Sequence, residues 1–248
     1  MGVIKLSGLV INETKKGEAD KVLTLFTLEE GKAYVYSKGA RKLSSRFFSG
    51  SALFDYSDFV VYSGRDFYSS TQIDKITAYG ELGLDYEKLC CANLFLELVD
   101  KTTFVGEPNP PVLKLLLSAL TALLKGLSDS FCVYQAFLFK YLQICGYEPL
   151  ILNCAYCGCG LDAKGDVYYC ISGAICKTCS LNDATAVKVN DTALYAIEYI
   201  LSSEISEAFS YKIDERSRAY LKRASDISLA NFDVILKGRK FVDEIYDN

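Results

Sequence analysis

The chain has 248 residues, half of them apolar, with a net charge of −4 and a pI near 5.1. That composition supports a sizeable core in one large or two to three small domains, and its charge does not advertise a nucleic-acid binder. Ten cysteines in so long a chain do not make a secreted disulfide scaffold, and the most apolar stretch, 111–126, is interrupted by Lys114 and Lys125 and too short to span a bilayer.

Residues 1–80 read as strands. VIKLSGLVI (3–11), KVLTLFTL (21–28) and KAYVYSKG (32–39) are rich in β-branched and aromatic residues with polar or glycine breaks between them. Segments 52–64 and 65–79 add two more, joined at Ser63-Gly64. In KAYVYS, Ala33, Val35 and Ser37 are expected on one face, Tyr34 and Tyr36 on the other. Five short strands without an intervening helix predict a small closed barrel, with the five-stranded OB barrel as its natural form. The local charge also changes here: net +2 over 1–80 against −6 over 81–248. Segment 31–54 holds Lys32, Lys38, Arg41, Lys42 and Arg46, no acid, and the aromatics Tyr34, Tyr36, Phe47 and Phe48. A cationic track that follows phosphates, combined with rings on which bases stack, is the pattern of single-strand binders. A solvated basic loop whose aromatics pack in the barrel accounts for the same residues. Gly39 and Gly50 mark the stretch between them as a flexible loop.

From residue 81 the period becomes helical. Leu89, Ala92, Leu96 and Val99 mark one face of a helix over 84–103. After the proline-rich break 106–111, an apolar helix ends at Gly126, and another over 128–146 opens on a Ser/Asp cap. Three antiparallel helices in a bundle are the simple expectation. Residues 190–204 and 207–228 predict two further helices, and a basic trio, Lys237, Arg239 and Lys240, precedes a short helical tail. No signal-peptide pattern opens the sequence.

Between these helices lie two CxxC pairs, Cys154/Cys157 and Cys176/Cys179, eighteen residues apart (158–175). Two tight turns that each aim a pair of thiolates at one ion complete a tetrahedral shell at this spacing. The chain has no His, so a mixed site is excluded. Four protein ligands leave no open position for an activated water, which predicts one structural zinc ion rather than a catalytic one. Cys159 and Cys170 are spare sulfurs, either of which could in principle replace a ligand; they are set aside because neither belongs to a CxxC pair, and Cys90, Cys91, Cys132 and Cys145 read as buried free thiols. A redox dithiol is the competing reading of a CxxC.

Phosphate-loop, dinucleotide, nucleophile-elbow and HExxH motifs are all missing, so no enzyme is expected. The sequence does resemble one family. The opening with Gly17-Glu18-Ala19-Asp20 and Lys38-Gly39-Ala40-Arg41, the run FLFKYLQICGYEPLILNCAYCG, GAICKTC and LKGRKFVDEI together resemble the bacterial recombination mediator family RecO. The resemblance implies an OB fold over 1–80 that binds DNA, a helical domain over 81–148 and 186–248, and an inserted zinc-ribbon-like module over 149–185. It implies a bacterial, cytoplasmic, nucleoid-associated mediator that binds single- and double-stranded DNA and anneals complementary strands. It further implies RecA loading with RecR and contact with the acidic C-terminal tail of the single-stranded-DNA-binding protein. Cys154, Cys157, Cys176 and Cys179 would be the ligands, and Lys38, Arg41, Lys42, Arg46, Tyr34 and Tyr36 the DNA contacts. A zinc-ribbon adaptor that binds only protein remains the alternative.

Overall fold

The structure, a computed structural model, describes residues 2–64, 67–161 and 166–246. The chain divides into two compact units, Met1–Lys114 and Leu115–Asn248.

In the first unit, β1 (Val3–Lys16), β2 (Asp20–Thr27), β3 (Gly31–Ser37), β4 (Asp55–Ser63) and β5 (Tyr68–Ala78) close into a barrel in the order β1-β2-β3-β5-β4. Parallel pairing of β3 with β5, at Val35–Tyr68 and Tyr36–Ser69, joins the two antiparallel groups. This is the five-stranded OB arrangement expected from the sequence. Arg65 and Asp66, read as the start of the fifth strand, lie outside the described residues. The period-two pattern fills the interior: Leu6, Val10, Leu23, Leu25, Val35, Phe59 and Val61 form one buried cluster. β1 runs five residues past the expected end at 11. Val3–Leu9 pair with β4 and Gly8–Lys16 with β2, and the register against β2 shifts between Val10 and Asn12. Gly31 opens β3 at φ +61°, and a Cβ there would strike the Glu107 carbonyl, so the turn into the strand admits only glycine.

Helix α1 (Tyr86–Thr102) follows, its N-terminus capped by Asp85, whose side chain accepts from the Lys88 N–H. It packs on β1 and buries more than the expected stripe: Cys90, Cys91, Leu94, Phe95 and Leu98 join Ala92, Leu96 and Val99, and Leu89 is only half-buried. Lys32, a cation of the acid-free stretch, is turned into the fold, where Nζ donates to the Asp100 carbonyl at 2.5 Å.

Helix α2 (Pro110–Lys125) leads into α3 (Ser130–Ile144), which is buried along nearly its whole length. The caps are those read from the sequence: Asp129 accepts from Cys132 N–H, and Gly126 at φ +61° ends α2. The core of the second unit joins α3 to α5 (Asp191–Ser202) and α6 (Glu215–Leu229). Its bundle therefore recruits helices far apart in sequence, which the three-consecutive-helix expectation missed. Asn190 caps α5. α6 starts later than expected from the run 207–228, because Phe209, Tyr211 and Ile213 bury alternate side chains of a non-helical segment and Asp214 supplies the cap. A short α7 (Arg239–Tyr246) closes the described chain.

Candidate metal centre and nucleic-acid interface

The cysteine module is a three-stranded sheet in the order β7-β6-β8, from β6 (Val167–Cys170), β7 (Gly173–Cys176) and β8 (Val187–Val189), with the single-turn helix α4 (Lys177–Ser180) after it. The hairpin carries Cys176 at the end of β7, and α4 presents Cys179. The first pair sits on a turn in which Gly158 N–H donates to the Cys154 carbonyl at 2.9 Å, with Gly158 at φ +74° reversing the chain. The module is anchored twice. Leu150 bridges Ser172 and Ala174 on either side of Gly173. The buried Tyr169 hydroxyl meets Ser228 Oγ of α6 at 2.7 Å.

This folding brings Cys154, Cys157, Cys176 and Cys179 together, with their sulfurs all within 4.8 Å of one another. Tetrahedral thiolate coordination at about 2.3 Å per bond requires sulfurs about 3.8 Å apart, and Cys157 and Cys176 stand 3.9 Å apart. Burial pushes the Cys154 thiol up, but backbone N–H groups of Cys157, Cys176 and Tyr156 outweigh it and bring it down to about 6. One ligand is thus prepared as a thiolate at neutral pH. Cys179 is pushed up to about 12, chiefly by its hydrogen bond to Cys176. The group can hold a metal ion, and no imidazole or carboxylate is needed to complete it. Of the spare sulfurs, Cys170 is sealed in the apolar core with Ile175, whereas Cys159 is exposed beside Cys157.

The basic segment after β3 is not the open loop that Gly39 and Gly50 suggested. It is a succession of hydrogen-bonded turns: Lys42 N–H to Gly39, Ser45 N–H to Lys42, Phe48 N–H to Ser45. Ala40 and Phe47 pin it to the barrel core. Its entry is tied by Asp20, which accepts from the Tyr36 hydroxyl and, at 2.7 Å, from Gly39 N–H. Those donors, Tyr36 first, hold the Asp20 carboxyl below the usual carboxylate range. Lys38, Lys42 and Arg46 are exposed. Arg41 is half-buried and its guanidinium donates to the Gly17 carbonyl at 2.8 Å. Arg46 lies over the Phe47 ring at 4.8 Å. Tyr34 points outward, 45% exposed, whereas Tyr36 is committed to Asp20 and meets Phe67 edge-on.

The Arg41 contacts, through its guanidinium to Gly17 and its N–H to the Ala19 carbonyl, dock the segment on the β1–β2 turn. That turn carries exposed Lys15 and Lys16, which sequence reasoning passed over although a Lys pair before a glycine was in plain view. The exposed rings of Phe48, Tyr62 and Phe67 were likewise not singled out as platforms. At the far end of the chain, Arg239 of the basic trio is paired with Asp226 at 3.0 Å and with Asp243 at 3.5 Å, and Lys240 covers the Phe241 ring.

An OB barrel, a helical unit and a four-cysteine module together define a multi-domain α+β class of protein. Models of the RecO family match almost the entire chain: Recombination protein O N terminal over residues 1–79 and Recombination protein O C terminal over residues 83–231. The chain is 30% identical over 243 residues to the DNA repair protein RecO of Acetivibrio thermocellus, covering 95% of this chain and 97% of that one. It is 30% identical over 212 residues to the DNA repair protein RecO of Alkaliphilus metalliredigens (86% of each), and 29% identical over 244 residues to that of an Exiguobacterium species (97% and 96%). The chain belongs to the RecO family. Among the described residues no helix is long and apolar enough to cross a membrane.

Proposed function

We propose that the chain is a non-enzymatic DNA-repair mediator of the cytoplasm that binds DNA through its barrel and holds one structural zinc ion in the cysteine module. The observation that carries the reading is the exposed cationic set Lys38, Lys42 and Arg46, tied by Asp20, Ala40 and Phe47 to an OB barrel that presents Tyr34. Arg41 adds its charge at the β1–β2 turn beside Lys15 and Lys16, and Tyr36 shapes the entry more than it offers a free ring. Backbone phosphates supply most of such affinity and stacking adds to it without sequence preference. Residues 1–80 are then the DNA-binding domain, 81–148 and 186–248 the helical domain, and 149–185 the metal module.

Cys154, Cys157, Cys176 and Cys179 would hold the zinc, which supplies a cross-link between the two turns and no reactive position. The residues' own part is to offer one preformed thiolate, Cys154, on hydrogen-bonded turns that need no reorganisation.

Family membership supports annealing of complementary strands and loading of RecA with RecR on single- and double-stranded DNA. It also supports contact with the acid tail of the single-stranded-DNA-binding protein. For that tail, the cavity of about 360 Å³ lined by Pro149, Leu150, Ile151, Leu152 and Leu201 is ill suited, since Glu148 and Glu198 share its wall. The cavity of about 380 Å³ lined by Leu229, Val234, Ile235, Leu236 and Arg239 is no better suited, since Arg239 is already paired with Asp226 and Asp243. Asp233 shares its wall, as does Asp226, which is already paired with Lys222 and Arg239. Mobility shift of complementary oligonucleotides, with and without added RecR, tests the reading. Binding by neither form would leave an adaptor that touches only protein.

A further inference from the structure

We infer that Cys159 is a fifth, exchangeable ligand of the metal centre, able to replace Cys157; this rests on the reading of the four-cysteine group as a zinc site. Its sulfur lies 3.4 Å from Cys157 Sγ, in contact with it and close to the sulfur spacing of about 3.8 Å that thiolate coordination sets. The backbone holds it there. Cys154 N–H donates to the Cys159 carbonyl at 2.8 Å, and Asn153 and Gly160 form a β-bridge around the turn.

The cluster therefore has an inner and an outer side. Cys154 is buried and receives the Cys176 N–H on its sulfur at 3.4 Å, which fixes its corner. Cys157 and Cys159 are both exposed and lie side by side. A tetrahedral ion takes four thiolates, and the four sulfurs that converge are those of Cys154, Cys157, Cys176 and Cys179, so Cys159, in contact with Cys157, stands in reserve. In the exchange, Cys159 gives up its proton and takes the ligand position as the metal–sulfur bond to Cys157 breaks, and Cys157 takes up a proton. Charge and proton count are unchanged. The sulfurs are already in contact, so the movement is confined to two side chains.

The test measures zinc per chain after dialysis of the full-length protein against a competing chelator. Wild type is expected to keep about one ion. Cys157→Ser and Cys159→Ser should each keep it as well, whereas the double variant and Cys176→Ser should lose it. Loss from Cys157→Ser equal to that from Cys176→Ser, or equal retention by the double variant and Cys157→Ser, overturns the inference. Zinc-free wild type would instead overturn the metal reading itself, a distinct result. Thiol alkylation of the zinc-loaded wild type, mapped by peptide, keeps the inference testable should a variant fail to fold. Partial labelling of both Cys157 and Cys159, with Cys154, Cys176 and Cys179 protected, is expected. Full protection of Cys157 with Cys159 labelled as fast as a free thiol contradicts it.

Discussion

Gly173 is where the metal module is most exposed to a single added carbon. It opens β7 at φ +118°, a conformation L side chains rarely adopt, and a Cβ there would collide with the Leu150 carbonyl and lie 2.5 Å from Leu150 N. Both obstacles are backbone, so neither can swing aside. Gly173→Ala must then hold the strained φ, at about 1–3 kcal/mol, and also push Leu150 away. That displacement weakens Leu150 N–H to Ser172 and Ala174 N–H to Leu150, each worth about 1 kcal/mol. A cost of about 3 kcal/mol is expected, concentrated in the module and not in the barrel. Limited proteolysis should show earlier cleavage within 149–185, and zinc should leave the variant faster than wild type on chelator challenge. Circular dichroism of the β-rich unit should hardly change. Unaltered zinc release and an unaltered cleavage pattern would refute the steric reasoning.

Zinc affinity should fall with decreasing pH and fall more steeply below about 6. Above that value Cys154 is already a thiolate in the metal-free chain, and below it one more proton competes with the ion; a pH titration with a chromogenic chelator should show the break, and a constant slope would contradict it. Tyr34→Ala should weaken single-strand binding roughly fivefold to a hundredfold, the range of one base stacked on one ring, without changing the salt slope, because no charge is removed. Tyr34→Phe should restore it; equal loss in both variants would place the effect elsewhere. Tyr169→Phe should cost about 1 kcal/mol in denaturant unfolding, since Ser228 Oγ keeps its bond to the Ala224 carbonyl; no change in midpoint would mean that the link to α6 is energetically silent.

The barrel was legible because its strands keep a period of two, as Ala33, Val35 and Ser37 inward against Tyr34 and Tyr36 outward show. The caps at Asp129 and Asn190 were legible because short polar side chains before apolar runs have few other uses. The four cysteines announced themselves through spacing alone, and their sulfurs converge. Long-range packing was not legible. Nothing local says that α3 meets α5 and α6, or that 207–214 is an extended stretch with alternate burial, because those choices are made by partners distant in sequence. The same limit applied to the interface: composition named Arg41, but not its bond to Gly17 or the neighbouring Lys15 and Lys16. Cys159 was weighed and set aside for a related reason, since CxxC spacing cannot report a sulfur brought in by a turn.

The most direct test of the central proposal is a titration of the protein into a fluorescent single-stranded oligonucleotide over a range of salt, alongside Lys38→Ala/Lys42→Ala/Arg46→Ala. Single-strand contacts contribute a log–log slope of about −0.7 each, so the triple variant should bind more weakly with a slope flatter by about 2. Wild-type binding that does not weaken with salt, or an unchanged slope in the variant, would contradict the assignment of this face to DNA.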